Sequence, residues 1–335
     1  MSKKIAVVIL NWNGKSFLTK FLPSVINFSE QADIIVADNA STDNSVGYLN
    51  ENFPTVKTLL LDQNYGFAGG YNQALKQVDA EYYVLLNSDV EVTENWLAPL
   101  LVLLEKDPTI AACQPKIKAY HNKSHFEYAG AAGGFLDKYG YPFCQGRIFD
   151  TVEKDTNQYP ECAEVFWASG AALFIKAKAY HEIGGLDEFY FAHMEEIDLC
   201  WRLKNRGYRI MFCPTSTVYH VGGGTLNKIN PKKTFLNFRN SLLTLHKNLP
   251  KNGRLSKIII RLCLDALAAV KFLIEGKPTH VWAIIRAHFS FYSAITQNIA
   301  KRHPVEHPNL VGMMNISIVK EYFINKKKTF DKLLD

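Results

Sequence analysis

Asn87-Ser88-Asp89 closes an apolar run, Tyr82–Leu86, that reads as a buried β-strand. In an open α/β sheet the carboxyl end of such a strand opens onto the crevice that holds ligands. An acid there without a basic partner can hold a divalent cation, and the cation can hold a diphosphate. The same triplet is also an ordinary strand-ending turn. Glu195, Glu196 and Asp198 put three acids into four positions at a helix start. The helix dipole tolerates anions there, so a solvated first turn is the plain reading. The preceding Phe189–Met194 is mostly apolar, however, and would shield at least one carboxyl from water. A shielded carboxylate has a raised pKa and suits the work of a general base.

Two further groups have the composition of binding sites. Asp38 ends the apolar run Ile34–Ala37 and is followed by a small polar loop, Asn39–Asp43. An acid in that position can accept hydrogen bonds from a base or ribose, or it can form an Asx turn, with Asp43 capping the next helix. The segment Asn64–Asn72 contains Gly66, Gly69 and Gly70. Paired glycines entering a helix let a ligand approach the backbone, and the helix start favours anions. The segment is neither a Walker A loop nor a GxGxxG fingerprint. His220 precedes Gly222–Gly224, a run that reads as a mobile loop able to close over a bound group. As neutral imidazole, His220 can complete a cation site begun by Asp89.

These residues need a frame. Ile5–Leu10, Asp33–Ala37, Val56–Leu61 and Tyr82–Leu86 read as strands. Phe17–Asn27, Ser45–Asn52, Gly69–Gln77 and Trp96–Lys106 read as the helices between and after them. This rhythm with short polar links predicts a doubly wound, mainly parallel, Rossmann-like α/β sheet. Residues 112–165 are irregular and rich in Gly, Tyr and Phe, which predicts antiparallel hairpins and an insertion. Val165–Lys176 reads as one strand, Glu196–Gly207 as a helix with a glycine cap, and Arg209–Cys213 and Thr217–His220 as two short strands. Beyond Pro231 the pattern is mostly helical, with breaks at Pro250 and Pro278.

With 335 residues, 47% of them hydrophobic, the chain can bury one large core or two modest ones. The six cysteines, at 113, 144, 162, 200, 213 and 263, have no CxxC pair or regular spacing. That argues against a disulfide scaffold or zinc knuckle and fits a reducing cytosol. Asn11, Trp12 and Asn13 interrupt the first apolar run too early for a signal peptide. The net charge of +6 hides an asymmetry. Residues 1–225 carry 19 Lys and Arg against 26 Asp and Glu, a net −7, whereas residues 226–335 carry 19 against 6, a net +13. The basic last third points to an anionic membrane surface rather than nucleic acid.

In order, VVILNWNG, VADNASTDNS, NYGFAGGYNQAL, LLNSDVEV, GGLDE, EEIDLCWRL and YHVGGG resemble the family 2 glycosyltransferases, closest to the rhamnosyltransferase-like branch of bacterial cell-surface polysaccharide assembly. The resemblance spans about residues 4–245 and implies a GT-A catalytic domain over 1–245, followed by a basic helical region over 246–335. It also implies transfer of a sugar, with inversion, from a dTDP- or UDP-sugar, dTDP-rhamnose among them, to a saccharide or lipid-linked acceptor. On the donor side stand Asn11, Asp38, Gly66, Asn72, Asn87 and Asp89. Asp89 and His220 would hold Mg2+ or Mn2+, and Glu196 would be the catalytic base. Trp167, Glu195 and Asp198 fall on the acceptor side. The sequence departs from the family pattern twice: Asn87 stands where an acid is usual, and the base is Glu rather than Asp.

Arg254–Glu275 has no apolar stretch near the ~20 residues that span a bilayer. On a helix, Arg254, Lys257, Arg261, Asp265, Lys271 and Glu275 gather within an arc of roughly 120°, and the remainder is apolar. That broad face can pack on the catalytic domain or lie in a membrane interface. Trp282–Phe291 and Lys326–Lys328 favour peripheral contact through 254–335 at the cytoplasmic face of the cell membrane. Two other classes compete. A nucleotidyltransferase should show a Gly-rich basic signature where Asn11–Gly14 stands. A non-catalytic sugar-nucleotide binding module is favoured by Asn87 and opposed by Asp89, Glu196 and His220.

Overall fold

In the computed structural model, which describes residues 3–222, 230–302, 305 and 307–334, four apolar runs pair in parallel. They are β1 (Ile5–Asn11), β2 (Ala32–Asp38), β3 (Lys57–Leu60) and β4 (Tyr82–Asn87), linked by α1 (Lys15–Phe28), α2 (Ser45–Asn52) and α3 (Gly66–Leu75). Successive side chains of a strand point to opposite faces. Accordingly Val8, Leu85 and Leu173 enter one core, and Val7, Val84 and Phe174 enter a second core across the sheet. Central strands buried on both faces explain why β1 and β4 read as unbroken apolar runs.

The chain continues through β5 (Val90–Val92), α4 (Leu97–Lys106), β6 (Ile110–Ala119) and β7 (Asn122–Phe126), then β8 (Gly134–Asp137), β9 (Pro142–Cys144), β10 (Arg147–Ile148), β11 (Thr151–Val152), β12 (Ala163–Val165) and β13 (Ala172–Lys176). It then forms α5 (Ala177–Glu182), α6 (Glu195–Asn205) and β14 (Arg209–His220). The large sheet has the order β12-β14-β6-β13-β4-β1-β2-β3, with β5 on β14 and β7 on β6. β13 runs antiparallel to β4 and β6, while β14 is parallel to β6. The expected doubly wound, mainly parallel α/β architecture is therefore present, with an antiparallel strand at its centre.

Three expectations are corrected. The irregular stretch assigned to 112–165 begins with a long core strand, β6, and only then turns into hairpins. Val165–Lys176 is two strands, because Phe166–Ala171 leaves the sheet: Phe166 N donates to Gly134 O (2.8 Å), and Ser169 N donates to the buried Gln114 Oε1 (2.8 Å). Arg209–Cys213 and Thr217–His220 are one strand, β14, with a register shift between Cys213 and Thr217. Pro214 lies in that irregularity and has no N–H to give to a ladder.

Helices α7 (Pro231–Asn248), α8 (Arg254–Ile274) and α9 (Pro278–Ala300) follow. α7 runs straight through residue 245, so the expected boundary between the two regions falls inside a helix. The chain then returns to the body: β15 (Met313–Met314) pairs in parallel with β8, completing a five-stranded sheet β11-β10-β9-β8-β15. Before α10 (Asp331–Leu334), Phe330 packs its ring against Phe135, Phe143 and Tyr159.

α8 is oriented with the middle of its polar stripe inward. Arg261 and Asp265 are buried, with Arg261 Nε 3.1 Å from Asp265 Oδ1. The Arg261 guanidinium sits 3.6 Å from the centre of the Tyr141 ring, and His288 Nε2 lies 3.2 Å from Asp265 Oδ2. Among the described residues no helix is long and apolar enough to cross a membrane. Removing one member of a buried ion pair strands the other, at a cost of about 3–5 kcal/mol, whereas replacing both with apolar groups of similar size is often neutral. Asp265→Ala should therefore lower the urea midpoint far more than the double variant Arg261→Met, Asp265→Leu.

Candidate active site

Parallel pairing sets Leu10 of β1 opposite Asn87 of β4, while the chain after β1 proceeds to β2 on the other side. This is the point where the strand order reverses, and ligands of open α/β sheets bind at the carboxyl ends there. Asn11, Asp38, Asn87 and Asp89 all lie at that rim. A cleft of about 370 Å3 lined by Ala6, Asp33, Ile35, Lys57 and Val78 opens at the opposite end of the strands, away from these groups.

At the end of β2 Asp38 forms the Asx turn. Its Oδ2 accepts from Ser41 N (2.9 Å), the Asx turn, and its Oδ1 accepts from Asn11 Nδ2 (2.9 Å). Asn11 is fully buried, and its Oδ1 has no partner among the described residues. Asp43 accepts from Ser45 N (3.1 Å) at the start of α2, although Asn44, not Asp43, occupies the cap position. Asn39, which no local pattern singles out, anchors the next loop: its amide donates to Gly66 O (3.0 Å) and accepts from Tyr65 N (3.0 Å).

Gly66 opens α3 with φ +70°, and a Cβ there would sit 2.6 Å from the Phe191 ring and 2.9 Å from Phe191 O. Only glycine meets both demands. Asn72 is placed differently from the expectation. Its amide donates to Leu186 O (2.8 Å) and Glu188 Oε1 (3.1 Å) and accepts from Tyr180 Oη (2.6 Å) and Leu186 N (3.0 Å). Its hydrogen-bonding capacity is used to tie α3 to the Gly184–Glu188 loop.

The register His220↔Val90 between β14 and β5 carries His220 to Asp89. Nε2 lies 3.1 Å from Asp89 Oδ1 and 3.4 Å from Asn87 Nδ2, and all three residues are largely or partly buried. On the far side Nδ1 lies 3.3 Å from Glu127 Oε2, off the line of a good hydrogen bond. Burial pushes the His220 pKa down, but Glu127 and Asp89 outweigh it and raise it to about 10. Burial pushes Asp89 up, and the bond and charge of His220 more than offset this. Glu127 is invisible to pattern reading, being a lone acid in an irregular stretch. The first glycine of the loop has a reason to be glycine: Gly222 has φ +72°, and a Cβ would meet Glu127 Oε1 at 2.6 Å. Gly223 and Gly224, the rest of the expected mobile loop, lie outside the described residues.

No three His, Cys, Asp or Glu side chains converge as a cation cage among the described residues. The Asp89 carboxylate beside His220 fits Mg2+ or Mn2+ if the cation takes the place of the imidazole proton, since a ligating histidine is neutral and these ions are commonly held by one or two protein groups plus substrate phosphates and water.

The acidic helix start is held in a strained setting. Phe191, His193 and Met194 have φ of 64°, 68° and 75° immediately before Glu195. Such residues cost about 1–3 kcal/mol each and persist only where surroundings fix them. Asn240 of α7 does so: its Nδ2 donates to the carbonyls of Tyr190 (3.1 Å), Ala192 (2.9 Å) and His193 (2.7 Å). Phe67 N donates to Phe191 O (2.9 Å), joining the turn to α3. Glu196 is partly buried, and its Oε2 is buried without a partner among the described residues. Burial pushes its carboxyl up to about 7, with backbone N–H groups of the helix start pulling the other way. Burial and the neighbouring Glu196 push Glu195 well above the carboxylate range. A Cβ on Gly170 would touch the Phe67 ring at 3.2 Å and lie 3.8 Å from Glu196 Cβ, while the adjacent Ala171 O accepts from Asn87 N (3.0 Å). The base candidate and the Asn87–Asp89 rim are thus neighbours.

Two acceptor-side expectations are not met. Asp198 is fully buried and bound to Arg202 Nε (2.8 Å), Lys247 Nζ (2.9 Å) and Asn248 Nδ2 (2.8 Å). Trp167 is 2% exposed, with its Nε1 donating to Phe135 O (3.0 Å). Both are framework residues, because the sequence shows polarity and aromaticity but not which way a side chain faces.

The fold and this rim define a mixed α/β domain of GT-A type. Residues 6–163 match the glycosyl transferase family 2 model. The N-acetylglucosaminyl-diphospho-decaprenol L-rhamnosyltransferase of Mycobacterium tuberculosis is 26% identical over 236 residues, 66% of this chain and 76% of that protein. Among solved structures, mannosyltransferase PcManGT from Pyrobaculum calidifontis, in complex with GDP-Man and Mn2+, superposes with a TM-score of 0.52 and 14% identity over 88% of each chain. S. aureus TarS 1–349 in complex with UDP-GlcNAc does so with a TM-score of 0.55 and 14% identity, covering 89% of this chain and 84% of that one.

A buried donor that loses its acceptors, or acceptors that lose a buried donor, cost about 1–3 kcal/mol. Asn240→Ala should destabilise the protein by about that much. Amide hydrogen exchange should rise first in 190–197.

Proposed function

We propose that the protein is an inverting glycosyltransferase that moves a sugar from a dTDP- or UDP-sugar, dTDP-rhamnose being the leading candidate, to a saccharide or lipid-linked acceptor in cell-surface polysaccharide synthesis. The observation that carries the reading is Glu196: a shielded carboxyl with a free, buried oxygen, set beside the strand-order reversal in a family 2 domain. The similarity to a rhamnosyltransferase supports the choice of sugar.

In this reading Asn11 and Asp38 face the nucleotide end of the donor, and Asn87 and Asp89 its diphosphate. Gly66 and Asn72 shape the wall between donor and base. The acceptor hydroxyl attacks the anomeric carbon from the face opposite the nucleotide. As the new C–O bond forms, the bond to the diphosphate oxygen breaks, and its electron pair leaves with the nucleoside diphosphate. Glu196 takes the hydroxyl proton, which a poor nucleophile must lose near neutral pH. Burial and Glu196 push the Glu195 carboxyl up, which favours its neutral form and limits the charge beside the base. A cation held by Asp89 and His220 would neutralise charge gathering on the leaving group. A lipid-linked acceptor would place the chain at the cytoplasmic face of the cell membrane.

General base catalysis typically contributes ~10²–10⁴-fold, so Glu196→Gln should lose about that much in kcat while donor binding is kept. Transfer of labelled sugar measures this, and wild-type turnover by the Gln variant would remove Glu196 from the role. Because the base works deprotonated and its pKa is raised to about 7, kcat should fall as the pH drops through about 7 and level off above it. Divalent metal together with a nucleotide sugar should raise the unfolding temperature in a thermal-shift screen, since a ligand bound only to the folded state stabilises it. Asp89→Ala should abolish that metal-dependent increment.

A further inference from the structure

The apolar side of α8 faces outward. Leu255, Ile259, Leu267, Val270 and Ile274 recur at helical spacing along one exposed stripe, with Leu267 65% and Ile274 82% exposed. In a water-facing amphipathic helix the polar arc takes that position. Here the middle of the arc is turned inward: Arg261 and Asp265 are held by each other, Tyr141 and His288, and Arg254 Nη1 reaches His246 O (3.5 Å). α9 carries a second exposed series, Trp282 (61%), Phe289 (70%) and Tyr292 (49%). Phe323, whose ring lies 5.4 Å from Lys271 Nζ, is exposed and precedes Ile324, itself 70% exposed. Rows of this size are not left bare on a monomeric soluble protein without a purpose.

The charge on the same region identifies what covers the stripe. Residues 226–335 carry 19 Lys and Arg against 6 acids, and Lys271, Arg286, Lys320, Lys326 and Lys328 are exposed. A second copy would bring an equally basic surface against this one, and like charges repel. A bilayer with anionic headgroups offers the opposite sign outside and hydrocarbon beneath, with Trp and Tyr suited to the boundary. We infer that α8 and α9 form an inverted amphipathic hairpin whose exposed stripe lies in the interface of an anionic bilayer, with the buried Arg261–Asp265–His288 cluster holding that orientation in the absence of lipid. This deepens the membrane placement made above, and lipid binding is read without any sugar transfer, so either reading can fail alone.

The full chain is mixed with vesicles of phosphatidylcholine, with and without phosphatidylglycerol, and sedimented. Binding is expected to the anionic vesicles, weaker binding to the neutral ones, and partial retention in high salt, because an inserted apolar face is not released by screening. Leu267→Glu with Phe289→Glu should lower the vesicle partition by about tenfold or more while leaving the unfolding transition in place, since both side chains are exposed and their insertion is lost. Tryptophan emission should shift to the blue on adding anionic vesicles and lose that shift in Trp282→Phe. Three results would overturn the inference. The wild type could stay in the supernatant with both vesicles. The emission shift could persist in full without Trp282. The chain could be a dimer in buffer that the double Glu variant makes monomeric, which would show that a second copy covers the stripe.

Discussion

Parallel pairing of β1 with β4 is the constraint on which the site depends. It sets Leu10 opposite Asn87 and leaves β2 to pair on the other edge of β1, so the chain must part at the rim between them. A one-residue slip would turn every core side chain of β1 to the other face, exchanging Val7 with Val8 between two separate cores. The apolar alternation that fills both cores is therefore also what fixes the height of Asn11, Asp38 and Asn87.

The proposed base adds a second requirement, a rigid carboxylate. Glu196 stands on the first turn of a helix whose approach is backbone in left-handed conformations, a poor design unless something else holds it. α7 supplies the hold through Asn240, and the Asp187–Lys247–Asp198–Arg202 network fixes the same helix from beneath. Burial would push the Asp187 carboxyl up, but Lys247 and Lys301 pull it below the usual range, so the network weakens as the pH falls toward acid values. The helical region beyond the family match is in this respect part of the site's scaffold.

Much of this was legible in order along the chain. Strand ends gave Asp38, Asn87 and Asp89 because buried strands are apolar until they reach the rim, and a change to polar residues marks the place. Glu196 was readable because an apolar lead-in shields it. Glu127, Asn39 and Asn240 were not, since each acts across a sequence gap with nothing local to distinguish it. Trp167 and Asp198 were misread for the opposite reason: their types suggest ligand contact, and only packing shows that they face inward. α8 shows the same limit. Its periodicity was plain, but periodicity names two faces without saying which one meets the protein.

The return of the chain to β8 has a consequence for how the protein is made. The buried Asp137 carboxylate accepts from Ile318 N, 181 residues later, and β15 completes the edge of the small sheet there. On a ribosome adding residues at about 5–20 per second, that edge and its carboxylate wait roughly 10–40 s for their partner. An unpaired strand edge is a template for the wrong strand. The last part of the chain thus sets the interval during which the nascent protein most needs protection from its neighbours.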